Sequence, residues 1–146
     1  MDSSTVYSKI KALHDWLIGQ KIQTGIKLEG ETLSWMSLDL VTPKEIPNKP
    51  GFYVVRLKKS ESPDIVYIGE TNNLRRRVNF FRGAIRRGTA PHSGGKNLRS
   101  ELGSELAQFE ICWITAGDVY VAKVFEWYLV LSFYKEHNRL PIGNKE

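Results

Sequence analysis

The chain has 146 residues, of which 41% are hydrophobic and 11% aromatic, with one cysteine and a net charge of +5. Those figures suit one folded domain and exclude a disordered chain, a disulfide framework and a cysteine-based zinc site. The positive charge favours a polyanionic partner, and it is concentrated: from Thr71 to Ser100 there are eight Lys or Arg residues and no Asp or Glu.

Residues 1–5 lack the charged region and apolar core of a signal peptide. The longest apolar stretch, residues 119–134, carries Lys123 and Glu126 and is short for a bilayer. A soluble, cytoplasmic protein without a membrane partner is expected. Val6, Ile10, Leu13 and Leu17 recur at helical spacing and predict an amphipathic helix ending near Gly19. Residues 28–33 offer a weak hairpin. The turn-rich run from Thr42-Pro43 to Pro50-Gly51 marks the entry to the main domain. The division expected is an N-terminal extension over 1–45 and a main domain over 46–146. Residues 52–57 and 65–68 read as two strands of an antiparallel hairpin. Asn73 suits a helix N-cap, and Leu74, Val78, Phe81 and Ile85 form the stripe of a buried helical face. Residues 88–95 read as a glycine-containing loop around Pro91-His92, and 96–106 as a short helix. Residues 109–115 predict a third strand, and Asp118 caps a long helix running to about residue 136. The order β-β-α-α-β-α predicts an α+β fold, its three strands in a small, mainly antiparallel sheet covered by helices.

Six residues are candidates for chemistry. Glu126 is an acid in a helix that is apolar on nearly all sides and so reads as buried. A carboxylate there must be paired, hydrogen-bonded, metal-bound or neutral. A salt bridge to an arginine, such as Arg77, or a position at the helix edge where the acid reaches the surface, would explain it without any catalysis. Arg77 lies about 60° from Leu74 on the helical wheel, flanking the buried stripe, whereas Arg75, Arg82 and Arg86 share a separate face suited to a phosphate backbone. Arg76, Arg87, Lys96 and Arg99 complete the basic set. Tyr53 and Tyr67 lie on neighbouring strands. A tyrosine hydroxyl serves as a base only where nearby cations lower its pKa, which the arginine-rich helix would supply. His92 reads as a flexible-loop histidine: a proton carrier, a phosphate donor or, as is commonest for a lone loop histidine, neither. Cys112 reads as a small buried apolar residue.

Taken together, these residues resemble the GIY-YIG nuclease superfamily over residues 46–146. Gly51-Phe52-Tyr53 matches the first signature with Phe for Ile, and Tyr67-Ile68-Gly69 matches the second unchanged. Arg77 falls where the family has its catalytic arginine. Glu126 resembles the family's metal-ligating glutamate, and Asn144, in Pro141-Ile142-Gly143-Asn144, its C-terminal asparagine. The resemblance implies an endonuclease acting on DNA with one Mg²⁺, for which Mn²⁺ substitutes, held by Glu126. It implies that Tyr53 activates or orients the water with Tyr67 in support, that Arg77 neutralises phosphate charge, and that Asn144 hydrogen-bonds near the phosphate or positions Glu126. His92 lies where other members place a catalytic histidine. Glu70 departs from the lysine that some members carry at that position. A non-catalytic nucleic-acid-binding module is the alternative. A double-strand cut needs two active sites or two visits, which makes a homodimer a candidate assembly.

Overall fold

A computed structural model describes residues 1–28, 30, 32–58 and 65–144. The elements are α1 (Ser3–Gly19), β1 (Met36–Ser37), β2 (Gly51–Leu57), β3 (Ile65–Thr71), α2 (Leu74–Arg87), α3 (Ser93–Leu102), β4 (Phe109–Thr115) and α4 (Val119–His137), with short 3₁₀ turns at Pro43–Glu45, Leu106–Gln108 and Ile142–Asn144. The fold is α+β. Among the described residues its sheet is wholly antiparallel and has four strands in the order β1-β4-β2-β3, not the three expected. The additional strand is two residues long, Met36 and Ser37 opposite Ile111 and Glu110, too short to leave an alternating pattern in the sequence. Glu29 and Glu31 of the expected hairpin lie outside the described residues. Leu28 and residues 32–35 form no strand.

Alternation along the central strand β2 divides the core in two. Phe52 and Val54 face α1 and α4 in a cluster with Val6, Ile10, Phe125 and Leu129. Tyr53 and Val55 face α2 and α3 in a cluster with Leu74, Val78, Phe81 and Ile85. Phe52 stacks on Phe125 with ring centroids 5.1 Å apart. Residues 1–45 join both clusters, through Val6, Ile10, Leu17 and Ile26 on one face and Leu38 and Val41 on the other.

Asn73 and Asp118 cap their helices as expected, accepting from the backbone N–H groups of Arg76 and Val121. Asp2 does the same for α1, accepting from Thr5. Gly88 ends α2 with φ of 74°. Two expectations fail. Residues 93–95 belong to α3, so His92 is not in a flexible loop; it is that helix's N-cap. In α4, Ala122, Phe125, Leu129 and Phe133 face the sheet, but Tyr120 and Trp127 are 73% and 75% exposed. Glu126 is therefore half-buried at a helix flank rather than enclosed. A helix apolar on every side carries no periodic signal of which side is covered. Among the described residues, no helix is long and apolar enough to cross a membrane.

Candidate active site at the edge strand

The sheet brings the candidate residues to β3, its edge strand. Val55 pairs with Tyr67 and Tyr53 with Gly69, so the two tyrosines are diagonal neighbours on one face, with ring centroids 5.7 Å apart. Phe81 and His92 complete a packed group of four rings, Phe81 lying 5.3 Å from Tyr67 and 4.9 Å from His92. Three glycines close around Tyr67. A Cβ at Gly94 would fall 2.2 Å from Cε1 of Tyr67, one at Gly69 2.6 Å from Cε2, and one at Gly143 2.8 Å from Cδ1. The glycine of Tyr67-Ile68-Gly69 is thus a close-approach position. Gly94 and Gly143 went unrecognised in the sequence, where the Gly94-Gly95 pair resembled loop punctuation.

The hydrogen bonds run in one direction. His92 is 1% exposed, and its Nδ1 accepts from the Gly95 N–H at 3.0 Å. In the neutral ring Nε2 then carries the proton and donates to the Tyr53 hydroxyl at 2.7 Å. Tyr53 in turn donates to the Tyr67 hydroxyl. Burial, with the Arg77 cation in second place, pushes the His92 pKa down to about 3. His92 is a fixed donor, which overturns the proton-carrier reading. Burial holds the pKa of both tyrosines above the ordinary value, outweighing Arg77. The expected cationic field is present and lowers both values, but burial is the larger effect. Tyr53 is 0% exposed, whereas Tyr67 is half-buried. Tyr67, not Tyr53, is the hydroxyl within reach of solvent.

Arg77 is held beside this cluster. The Thr71 hydroxyl and Asn73 form the tight link from β3 into α2, and Nη1 of Arg77 donates to the Pro91 carbonyl at 3.2 Å. At the far end of β3, a groove of about 710 Å³ is lined by Glu70, Asn72, Arg76, Arg77, Phe80 and Lys123 among others.

Glu126 approaches from the opposite face of the sheet. Its carboxylate accepts from the Glu70 N–H, yet burial and the neighbouring Glu70 carboxylate push its pKa up to about 7. Among the described residues no ion pair joins it to Arg77, so the salt-bridge explanation of Glu126 fails. Asn144 bonds the same strand: its Oδ1 accepts from the Ile68 N–H at 2.9 Å and its Nδ2 donates to the Ile68 carbonyl at 2.7 Å. Its amide mimics a neighbouring strand and pins the C-terminal turn beside Tyr67. It also lines a pocket with Glu126, Trp127 and Leu131.

The basic set divides. Arg75 donates to the Ile46 carbonyl, Arg82 to the Leu38 carbonyl, and Arg99 to the carbonyls of Ile85 and Arg86. These three tie elements together. Arg76, Arg86, Arg87 and Lys96 are exposed, and of them Arg76 lines the groove. Lys123 and Phe80, also in the groove, had no distinguishing sequence signal.

Among the described residues, no cluster of three or more His, Cys, Asp or Glu side chains stands ready to hold a metal. Glu126 and Glu70 form a smaller oxygen-donor pair. A half-buried carboxylate beside a second one, with no ion pair to it among the described residues and only the field of Lys123 to offset it, fits a hard divalent ion that takes one or two protein carboxylates and otherwise water and phosphate oxygens. No protein-family model matches the chain, and no curated protein matches it in sequence.

Proposed function

We propose that this protein is a metal-dependent endonuclease that hydrolyses DNA phosphodiester bonds, of the GIY-YIG kind its sequence resembles. The observation that carries the reading is the convergence on β3: a tyrosine hydroxyl and an arginine on one face of the strand, and a half-buried carboxylate beside a second one on the other.

Hydrolysis of a phosphodiester needs a positioned water, neutralised phosphate charge and a stabilised leaving oxygen. Tyr67 orients the water or a phosphate oxygen as a hydrogen-bond donor. Tyr53 and His92 act behind it as positioning residues, since their bonds leave the Tyr67 proton pointing outward. Arg77 neutralises charge on the phosphate, with Arg76 and Lys123 guiding the flanking backbone. Glu126, with Glu70 as a second oxygen donor, is suited to hold Mg²⁺ or Mn²⁺. Such an ion, when bound, supplies Lewis-acid polarisation and lowers the pKa of a coordinated water.

The test is cleavage of supercoiled plasmid with Mg²⁺ or Mn²⁺ against EDTA, with Glu126→Ala alongside. Metal-dependent nicking or linearisation that vanishes in the variant is expected, with DNA binding kept. Cleavage at the normal rate by Glu126→Ala removes the metal-ligand role. Salt-sensitive binding without any cleavage instead favours a nucleic-acid-binding module, for which the groove cations would suffice.

A further inference from the structure

The candidate site continues into a pocket for which phosphate chemistry has no use. Trp127, Leu131 and Tyr134 form an exposed row on α4, and together with Glu126, Leu140 and Asn144 they line a cavity of about 370 Å³. That volume is in the range of sites that enclose a single small molecule. Trp127, Leu131, Tyr134 and Leu140 are 75%, 53%, 47% and 37% exposed, so aromatic and aliphatic surface stands open to solvent beside a half-buried carboxylate. Among the described residues no Lys or Arg lines the pocket.

The order of residues along α4 fixes what the pocket adjoins. At about 100° per residue, Val119, Lys123, Glu126, Trp127, Leu131 and Tyr134 fall within one arc of about 140°, on a single side of the helix. Val119 and Lys123 line the groove that Arg76 and Arg77 also line. Glu126 comes next, accepting from the Glu70 N–H, and the apolar row follows. From Lys123 to Leu131 is about 12 Å along the helix axis. Cations, a carboxylate pair and an aromatic pocket thus succeed one another over a short distance.

That succession matches one polynucleotide strand. Phosphates are anions suited to the groove, and bases are flat, uncharged rings that stack on aromatic side chains. An apolar partner would account for the row alone; a polynucleotide accounts for the row and for the cations beside it. A base inside a duplex has both faces covered by its neighbours, so the base that enters must be unstacked. Asn144 adds a polar group for a base edge: of the two N–H donors of its carboxamide, the bond to the Ile68 carbonyl uses one.

We infer that this pocket holds one unstacked nucleobase, stacked on Trp127, next to the phosphate at Glu126, and that the substrate is DNA with an unpaired nucleotide rather than an uninterrupted duplex. The inference rests on the nucleic-acid reading of the site and names its substrate class.

The test is binding in EDTA, where metal-dependent cleavage does not intervene, to two duplexes that differ at one nucleotide: a 2-aminopurine that is paired in one and forms a single-nucleotide bulge in the other. The wild type should bind the bulged duplex about tenfold more tightly, within what one stacked base contributes, and should quench its 2-aminopurine. Trp127→Ala should bring the bulged duplex to the affinity of the paired one and abolish the quenching, with the salt dependence unchanged because stacking releases no counterions. Trp127→Phe should keep most of the preference, since a phenyl ring also stacks. Trp16→Ala, 60% exposed on α1, should behave as the wild type. Equal affinity of the wild type for the two duplexes overturns the inference, as does a preference that Trp127→Ala retains. Self-association of the free chain that Trp127→Ala abolishes overturns it in favour of a second copy on this face. The two readings fail separately. Metal-dependent cleavage indifferent to the bulge removes the base pocket alone, whereas a Trp127-dependent preference in a protein that never cleaves removes the nuclease and keeps the pocket.

Discussion

Single residues here owe their properties to how they are enclosed. Glu126 has an ordinary carboxyl as its reference, at 4.5, and is pushed up to about 7 by burial and by Glu70. The folded state therefore binds this proton more tightly than the unfolded chain does, and the stability so gained is present below about pH 4.5 and lost as pH rises to about 7. Glu126→Gln should melt above the wild type at pH 8 in EDTA and level with it at pH 4; equal melting curves at pH 8 would remove the burial argument. Mg²⁺ should narrow the gap at pH 8 by stabilising the wild type alone. Tyr67 makes the steric counterpart. Gly94→Ala forces a methyl into its ring, which costs about 1–3 kcal/mol as overpacking does. Cleavage should fall by more than the stability loss explains, because Tyr67 moves. A variant of lowered Tm but normal activity would show that the ring's position is not critical.

At the scale of elements, short signals at the ends of helices are as consequential as apolar stripes. Asp118 starts α4 by accepting from the Val121 N–H at 2.9 Å, and α4 carries both Glu126 and the exposed row. Asp118→Ala should cost about 1 kcal/mol and lower the melting temperature by about 2–4 °C, with cleavage at room temperature retained. A loss of activity without a loss of stability would mean that Asp118 does more than cap. The Asn144 amide shows a second kind of element signal. It closes the free edge of β3 with the two bonds a strand would make, so a 3₁₀ turn does the covering that exposed edges require. From sequence, an asparagine in Pro141-Ile142-Gly143-Asn144 was legible as a site residue, but its bonding to backbone was not.

Over the whole molecule, charge is the property that composition overstates. Eight cations cluster in sequence between Thr71 and Ser100, but Arg75, Arg82 and Arg99 are spent on carbonyls within the fold. DNA affinity should fall steeply with salt, and Arg76→Gln should reduce the slope of log K against log salt by about 1, as one lost phosphate contact does. Arg82→Gln should leave the slope unchanged and lower stability instead. Equal effects of the two on the slope would contradict the division of the basic set.

What the sequence determined by itself is whatever rests on local pattern. The strands β2, β3 and β4 announce themselves by apolar runs, the buried stripe of α2 by its period, and the starts of α2 and α4 by Asn73 and Asp118. Two tyrosines, an arginine, a histidine, a glutamate and an asparagine were picked out as one set. Tertiary structure alone decided what depends on which surfaces meet. It made His92 a helix cap and fixed donor, left Tyr67 rather than Tyr53 facing solvent, divided the arginines, and turned one side of α4 outward. Those outcomes follow from burial and hydrogen bonding between residues far apart in the chain, such as Tyr53 with His92 and Ile68 with Asn144. A period along one segment carries no information about its partner.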